Sequence, residues 1–519
     1  MIRRIALLLL SLPILGIGAL GGDDAKKETV VFKPEPIPVE AGAIQNAGCG
    51  TEIWRGGPSD GVKEIVQYAV RVSEHSANAM IRVGWDAYEP RQGEYQFEKM
   101  DPQFRQCLAY GQKLDIACFV TSNAGTKQMI DDAYCCYPAY VHEAMQASDQ
   151  KDVVSALWLN GKKNWEPNFE NAFFFERYDA LLKAFAAYLE GPISVEGRTV
   201  VRKQLVRCIE LRHFGFWGEG AYPKSLIPAN SACLIRFADS FVRHFPDIWL
   251  VVPTNGMRFS PAYDGLKDYH FHLLTVRNQK GLLGTFRDNW GDDEKRYQVI
   301  YYAANRYEQD GVKLYELLRD RWKLAPLVGE PGRWGPREDG FHPYWGLVDQ
   351  AAYLHPAVIR NCNVSMGKSA TSPTDYSILD DPQALAAFHR MYALIGFRYL
   401  VTEASITRGN GWLETQLAWQ NIGLTPTYDS WTVTYFLENE AGAEIWRGNS
   451  ALDPRRVLPD EQVAPGSLAG TPTKHTDRFE NVPAGGRLWL QIVDPDGISP
   501  PMALSIEGRS AKGAYLLTP

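Results

Sequence analysis

The stretch Val206-Arg207-Cys208-Ile209-Glu210-Leu211-Arg212-His213-Phe214-Gly215-Phe216 reads as a buried strand, and it runs into Trp217-Gly218-Glu219-Gly220, a glycine-flanked bend. The same unit, a short apolar or β-branched run followed by a helical pattern, recurs on both sides of it. Candidate strands cover 79–85, 115–121, 206–216, 249–254, 284–288, 325–330 and 363–368, with a first strand inside 44–53. Amphipathic helical patterns lie between them at 62–76, 102–113, 174–189, 232–245, 313–321 and 345–354. Eight strand–helix units ending near residue 396 are the count of a (β/α)8 TIM barrel with loop insertions.

After a helix expected at 382–395 the pattern changes. Short alternating strands at 415–421, 431–439, 487–493, 502–507 and 513–517 are punctuated by turn residues such as Asp496-Gly497 and Ala484-Gly485-Gly486. The expected class is therefore α/β: a barrel over 43–396, then a C-terminal antiparallel β-sandwich over 397–519.

Ahead of the barrel, Met1-Ile2-Arg3-Arg4 precedes an apolar run from Ile5 to Leu20. A basic start and an apolar core of that length read as a secretory signal peptide over 1–22, so the chain is expected to be exported, periplasmic or extracellular. A retained anchor is the alternative, since the run is just short of a comfortable span. Residues 23–42, where Pro34, Pro36 and Pro38 alternate with other residues, read as an extended linker.

Of the 519 residues, 45% are hydrophobic and 22% charged, which excludes a disordered chain. A formal charge of −7 repels phosphate backbones, so no nucleic-acid partner is expected, nor a membrane partner once the leader is removed. None of the eight cysteines forms a Cys-x-x-Cys pair, which removes zinc-ribbon and thioredoxin readings. An exported chain of this kind has room for one or two disulfides, while Cys118 and Cys208 sit in apolar runs as small core residues. His270 and His272 have no adjacent third ligand, so no metal and no cofactor is expected. Gly57-Pro58-Ser59-Asp60-Gly61 has nucleophile-elbow spacing but sits in a polar turn, where Ser59 or Asp60 reads as a helix cap.

Chemistry on a barrel of this type sits at the C-terminal ends of its strands. Glu219 follows the fourth strand, and Glu330, within Gly329-Glu330-Pro331-Gly332, ends the seventh. Either alone is an ordinary turn residue, but carboxylates at strand ends four and seven face each other across a barrel mouth. A retaining glycosidase needs such a pair, one to protonate the leaving oxygen and one to attack the anomeric carbon. Arg82, inside the second strand, is costly unless paired, and beside a nucleophilic carboxylate it would hold that group ionised. Asn123, Asn255 and Asp288 end strands three, five and six and suit sugar hydroxyls, although turn and capping roles explain such residues equally. Trp217, Trp290 and Trp345, with Trp165 and Trp334, are either stacking platforms or packing residues.

The run Arg82…Trp85…Glu89-Pro90-x-x-Gly93-x-Tyr95-x-Phe97 resembles the segment after strand two in clan A (4/7 superfamily) glycoside hydrolases, β-galactosidase-like members above all. The resemblance implies Glu219 as acid/base, Glu330 as nucleophile, Arg82 and Trp85 among the substrate-binding residues, and Glu89 as a loop organiser. Where many of these enzymes place Asn before the acid/base, this chain has Gly218. The chain from about 45 to 519 also resembles a bacterial family catalogued as domain of unknown function 4832, through Gly215 to Glu219 and Leu417-Ala418-Trp419-Gln420-Asn421-Ile422-Gly423-Leu424-Thr425-Pro426. The expected function is hydrolysis of a poly- or oligosaccharide with a carbohydrate substrate as partner. A carbohydrate-binding or surface-scaffold protein on the same fold is the alternative.

Overall fold

The structure is a computed structural model. It describes residues 28–54 except 43 and 45, then 78–121, 128–148, 154–157, 163–220, 230–254, 265–290, 307–331, 358–361 and 393–518, with single helical positions at 382, 386 and 390. Among these residues no helix is long and apolar enough to cross a membrane. The expected leader over 1–22 lies outside them.

The first described strand is β1 (Glu28–Phe32). Next come β2 (Gly50–Trp54), β3 (Asn78–Gly84), β4 (Lys113–Val120), β5 (Val206–Leu211), β6 (Trp249–Pro253), β7 (Gly284–Trp290), β8 (Leu327–Pro331) and β9 (Val358–Asn361). Strands β2 to β9 are all parallel, each bonded to its sequence neighbours, and β9 returns to β2 through Val358↔Gly50 and Asn361↔Ile53. The eighth strand thus lies at 358–361, upstream of the 363–368 expected, and the latter range lies outside the described residues. Connecting helices are α1 (Asp101–Tyr110), α3 (Ala172–Leu189), α4 (Ser231–His244), α5 (Lys267–Thr275) and α6 (Leu314–Arg319), while α2 (Ala139–Ala147) belongs to an excursion with a small four-stranded sheet.

Local chemistry sets these helices. Asn230 caps α4 through Ala232 N–H at 2.9 Å, and Asn171 caps α3 through Phe174 N–H at 3.0 Å. In α4 the buried positions Leu234, Phe237, Ala238 and Phe241 recur at helical spacing, so one face meets the sheet. Strand alternation divides the apolar residues in two. Ile209, Leu211, Leu250 and Val252 join the helices in one core, while Cys208, Val251, Phe286 and Val328 form a separate cluster with no helical member, the lumen of the sheet.

The C-terminal part contains β10 (Tyr399–Gly409), β11 (Trp412–Asn421), β12 (Thr432–Glu438), β13 (Glu444–Asn449), β14 (Thr473–Glu480), β15 (Arg487–Val493) and β16 (Tyr515–Leu516). They form two antiparallel sheets, β1-β10-β11-β14 and β13-β12-β15-β16. Leu417 and Trp419 from the first share a core with Val433, Tyr435, Leu490 and Ile492 from the second. The segment expected as a strand at 502–507 contributes only an isolated bridge from Ile506 to Pro36.

That bridge belongs to a larger correction, because much of the linker expected over 23–42 is part of this unit. Glu28 to Phe32 pair antiparallel with Ala404 to Arg408 as an edge strand. Downstream, Ile37 N–H donates to Ser505 O at 2.9 Å, and the Arg398 guanidinium donates to the carbonyls of Gly42 (2.8 Å) and Pro38 (3.0 Å). Proline lacks a donor and tolerates an extended edge, so the alternating prolines suit a segment docked on one side as well as a tether.

The C-terminal unit meets the barrel at the end where the strands begin. Gln204, just before β5, donates to Asp496 at 3.1 Å, Arg198 donates to Ile498 O at 3.2 Å, and Tyr428 donates to Trp322 O at 2.6 Å. A cavity of about 270 Å³ lined by Arg207, Trp249, Trp431 and Asp494 lies along this contact. These docking contacts are therefore at the end opposite Glu219.

Cys49, Cys107 and Cys233 are buried free thiols, and burial pushes the first two up to about 12 and the third to about 11. A thiol is nucleophilic only as the thiolate. Maleimide labelling read by peptide mass spectrometry should therefore leave these three unmodified in the native protein and modify them in urea. Modification of any of them without denaturant would contradict its burial.

Candidate active site

Strand β5 carries the site. Glu210 pairs in register with Ala117 of β4 and Val251 of β6, and Ala117 pairs in turn with Arg82 of β3. Paired residues of adjacent strands share a face, which sets Glu210 on the lumen side with Val251. Two residues on, Arg212 reaches back along the lumen, donating from Nε to Glu210 Oε2 at 2.6 Å, and its guanidinium lies 3.9 Å from the centre of the Phe286 ring. Between them, Leu211 points to the helices.

Beyond Arg212 the chain reverses. Gly218 N–H donates to Gly215 O at 2.8 Å and Gly220 N–H to Phe214 O at 2.9 Å, with Gly215, Trp217, Gly218 and Gly220 all at positive φ. Trp217, with φ 53° and ψ 16°, holds a left-handed conformation that is unusual for a bulky side chain. The bend returns Glu219 over its own strand, so that Arg212 Nη1 donates to Glu219 Oε1 at 3.3 Å and to Trp217 O at 3.2 Å. Glu219 is only 8% exposed. A buried carboxyl aimed by a guanidinium is a group suited to proton transfer or charge stabilisation.

The bend also accounts for the glycine at position 218. A Cβ at 218 would lie 2.4 Å from Arg212 O and 2.7 Å from its Cα, and φ there is +71°. No side chain fits. Gly218→Ala is expected to cost about 2–4 kcal/mol from backbone strain and overpacking, and to move Glu219. Denaturant titration checks the first effect, and a change below about 1 kcal/mol would contradict the close approach.

His213 faces the other way. Its ring stacks on Phe237 and its Nε2 pairs with Tyr269 Oη at 3.0 Å, and burial lowers it to about 3, so it stays neutral at ordinary pH. His270 and His272 are both in α5, His272 pairs with Asp239 at 2.6 Å, and among the described residues no group of three metal-ligating side chains occurs.

The segment after the second strand is a structural knot. Glu89, fully buried, accepts from Trp85 Nε1 at 2.8 Å and Gly93 N–H at 2.9 Å, and pairs with Arg177 of α3 at 2.5 Å. Arg177 also donates to Tyr140 and Tyr95, and Tyr95 stacks on Phe97 at 5.3 Å. Glu89 thus organises the loop. Trp85, expected among the substrate-binding residues, has 0% exposure and packs against Phe174 and Tyr178 of α3. It lies on the helix side of the sheet, where no sugar reaches it, because the 3-10 turn Trp85–Ala87 that follows β3 turns the ring toward α3.

The remaining expected residues are placed as follows. Glu330 is the penultimate residue of β8, and since all barrel strands are parallel its backbone is at the same end as the bend after β5. Asp288 and Trp290 lie in the last three residues of β7, where Trp290 pairs with Pro331, and Arg82 lies in β3. The side chains of these four, and all of Asn123, Asn255, Trp334 and Trp345, lie outside the described residues. Trp217 is half-buried at the bend, and Trp165 sits in the excursion, its indole donating to Ile130 O at 2.9 Å. Glu210 and Arg212 are the members that sequence reasoning missed. Their signal is spacing: charges at 210 and 212 fall on one face of a strand, with the apolar Ile209 and Leu211 on the other.

No protein-family model matches the chain, so its likeness to domain of unknown function 4832 has no such match behind it. No curated protein matches it either. Among solved structures, it is similar to a GH30 endoxylanase from Clostridium papyrosolvens at 10% identity and TM-score 0.37, covering 85% of this chain and 95% of that one. It is also similar to endo-glycoceramidase II from Rhodococcus sp., at 10% identity and TM-score 0.40, covering 85% and 100%. A psychrophilic glycoside hydrolase family 10 endo-β-1,4-xylanase matches at 11% identity and TM-score 0.37, covering 66% and 96%. At these levels no residue role or activity passes from them to this chain.

Proposed function

We propose that the protein is an exported (β/α)8 glycoside hydrolase carrying a C-terminal β-sandwich, with Glu219 as acid/base and Glu330 as nucleophile. The observation that carries this reading is Glu219 itself: a nearly buried carboxyl held by Arg212 on a strained bend at the C-terminal end of the fourth strand of a closed parallel sheet. Strain and buried charge persist where function requires them. In the proposed retaining mechanism, Glu330 attacks the anomeric carbon as Glu219 gives its proton to the departing oxygen. Glu219 then takes a proton from water, which releases the sugar and regenerates both groups.

A screen of aryl glycosides and polysaccharides, with wild type beside Glu330→Gln, tests the proposal. Turnover by wild type and none by the variant is the expected result. Turnover by both would remove Glu330 from the mechanism, and binding without turnover by either would favour a carbohydrate-binding protein.

A further inference from the structure

Glu219 shares its cation. Arg212 donates to Glu219 at 3.3 Å but to Glu210 at 2.6 Å, and both Arg212 and Glu210 have no exposed surface. A guanidinium beside a single carboxylate lowers that carboxyl's pKa by about 1–3 units, the wrong direction for a group that must carry a proton to a leaving oxygen. Two carboxylates on one guanidinium behave differently. With both ionised the three groups sum to one negative charge, and a proton on Glu219 leaves a neutral Glu210–Arg212 pair.

We propose that Glu210 and Arg212 are positioning residues of this site: Arg212 aims the Glu219 carboxyl, and Glu210, by taking the closer share of the guanidinium, leaves Glu219 able to hold a proton. The inference rests on Glu219 being the acid/base. The other strands of the sheet carry charged residues as well. Asp115 of β4 pairs with Arg207 deeper in the lumen, and β6 brings no ionisable residue. By strand position β2 brings Glu52, β3 Arg82, β7 Arg287 and Asp288, β8 Glu330, and β9 Arg360. Whatever these contribute, removing the negative charge of Glu210 shifts Glu219 one way and removing the positive charge of Arg212 shifts it the other.

The test is a pH titration of the Glu219 carboxyl in the full-length protein by difference infrared spectroscopy, with Glu219→Gln identifying its band. Glu210→Gln is expected to lower the midpoint by about 1–2 pH units, Glu210→Asp to keep it near the wild-type value, and Arg212→Gln to raise it. A purely structural role would not move the two neutralising variants in opposite directions. Midpoints that stay put, or shift the same way in both, overturn the proposal. If Glu210→Gln does not fold, an upward shift in Arg212→Gln supports the proposal, and a downward or absent shift overturns it. The readout needs no turnover: opposed shifts in a protein that hydrolyses no glycoside would sink the hydrolase reading alone, while unmoved midpoints in an active enzyme would sink this inference alone.

Discussion

Arg177→Ala is expected to lower stability by about 3–5 kcal/mol. Glu89 is fully buried, and Arg177 is the cation beside it at 2.5 Å. Removing the guanidinium leaves a carboxylate in an apolar knot of Trp85, Tyr95 and Phe97, and strands the Tyr140 and Tyr95 hydroxyls that it also bonds. Thermal and urea unfolding measure the loss. The pair as a whole contributes less than the single variant suggests, so Arg177→Met combined with Glu89→Gln should be less damaging than Arg177→Ala. A loss below about 1 kcal/mol for Arg177→Ala would mean that Glu89 finds another partner or a proton at little cost.

A large loss of activity that depends on the leaving group is expected from Glu219→Gln, which keeps the shape and hydrogen-bonding reach of the side chain but cannot deliver a proton. For a glycoside with a poor leaving group, turnover should fall about 10²- to 10⁴-fold, the span general acid–base catalysis supplies. A dinitrophenyl glycoside needs no proton on its leaving oxygen, so its bond-breaking step should fall far less. Burst and steady-state kinetics on the two substrates separate these cases. Equal losses on both would indicate disturbance of the bend, and no loss on either would remove Glu219 from the chemistry.

Much of this molecule is legible in one dimension. Barrel strands β3 to β8 fall within a few residues of their expected positions, because each is a short apolar run bounded by a helix cap or a glycine. Glu219 and Glu330 stand out as acidic residues immediately beyond such runs. Four strands of the C-terminal sheets escaped notice, for two different reasons. Tyr399 to Gly409 carries a register shift between Val401 and Glu403, which breaks its alternation. Thr473 to Glu480, Glu444 to Asn449 and Glu28 to Phe32 are edge strands whose residues are mostly solvent-facing, so none shows clean alternation.

The sequence by itself determined the order of elements and the positions where chemistry was to be sought, since hydrophobic period and chain punctuation are local properties. Tertiary structure alone decided which charges meet. It turned Trp85 into packing against α3, fixed Glu89 in a knot with Arg177, drew residues 28–42 onto a sheet formed nearly four hundred residues later, and set Arg212 between Glu210 and Glu219. Those outcomes depend on distances between groups far apart in the chain, or on the exact sense of a glycine bend that folds a strand end back over itself, and neither is written in any local pattern.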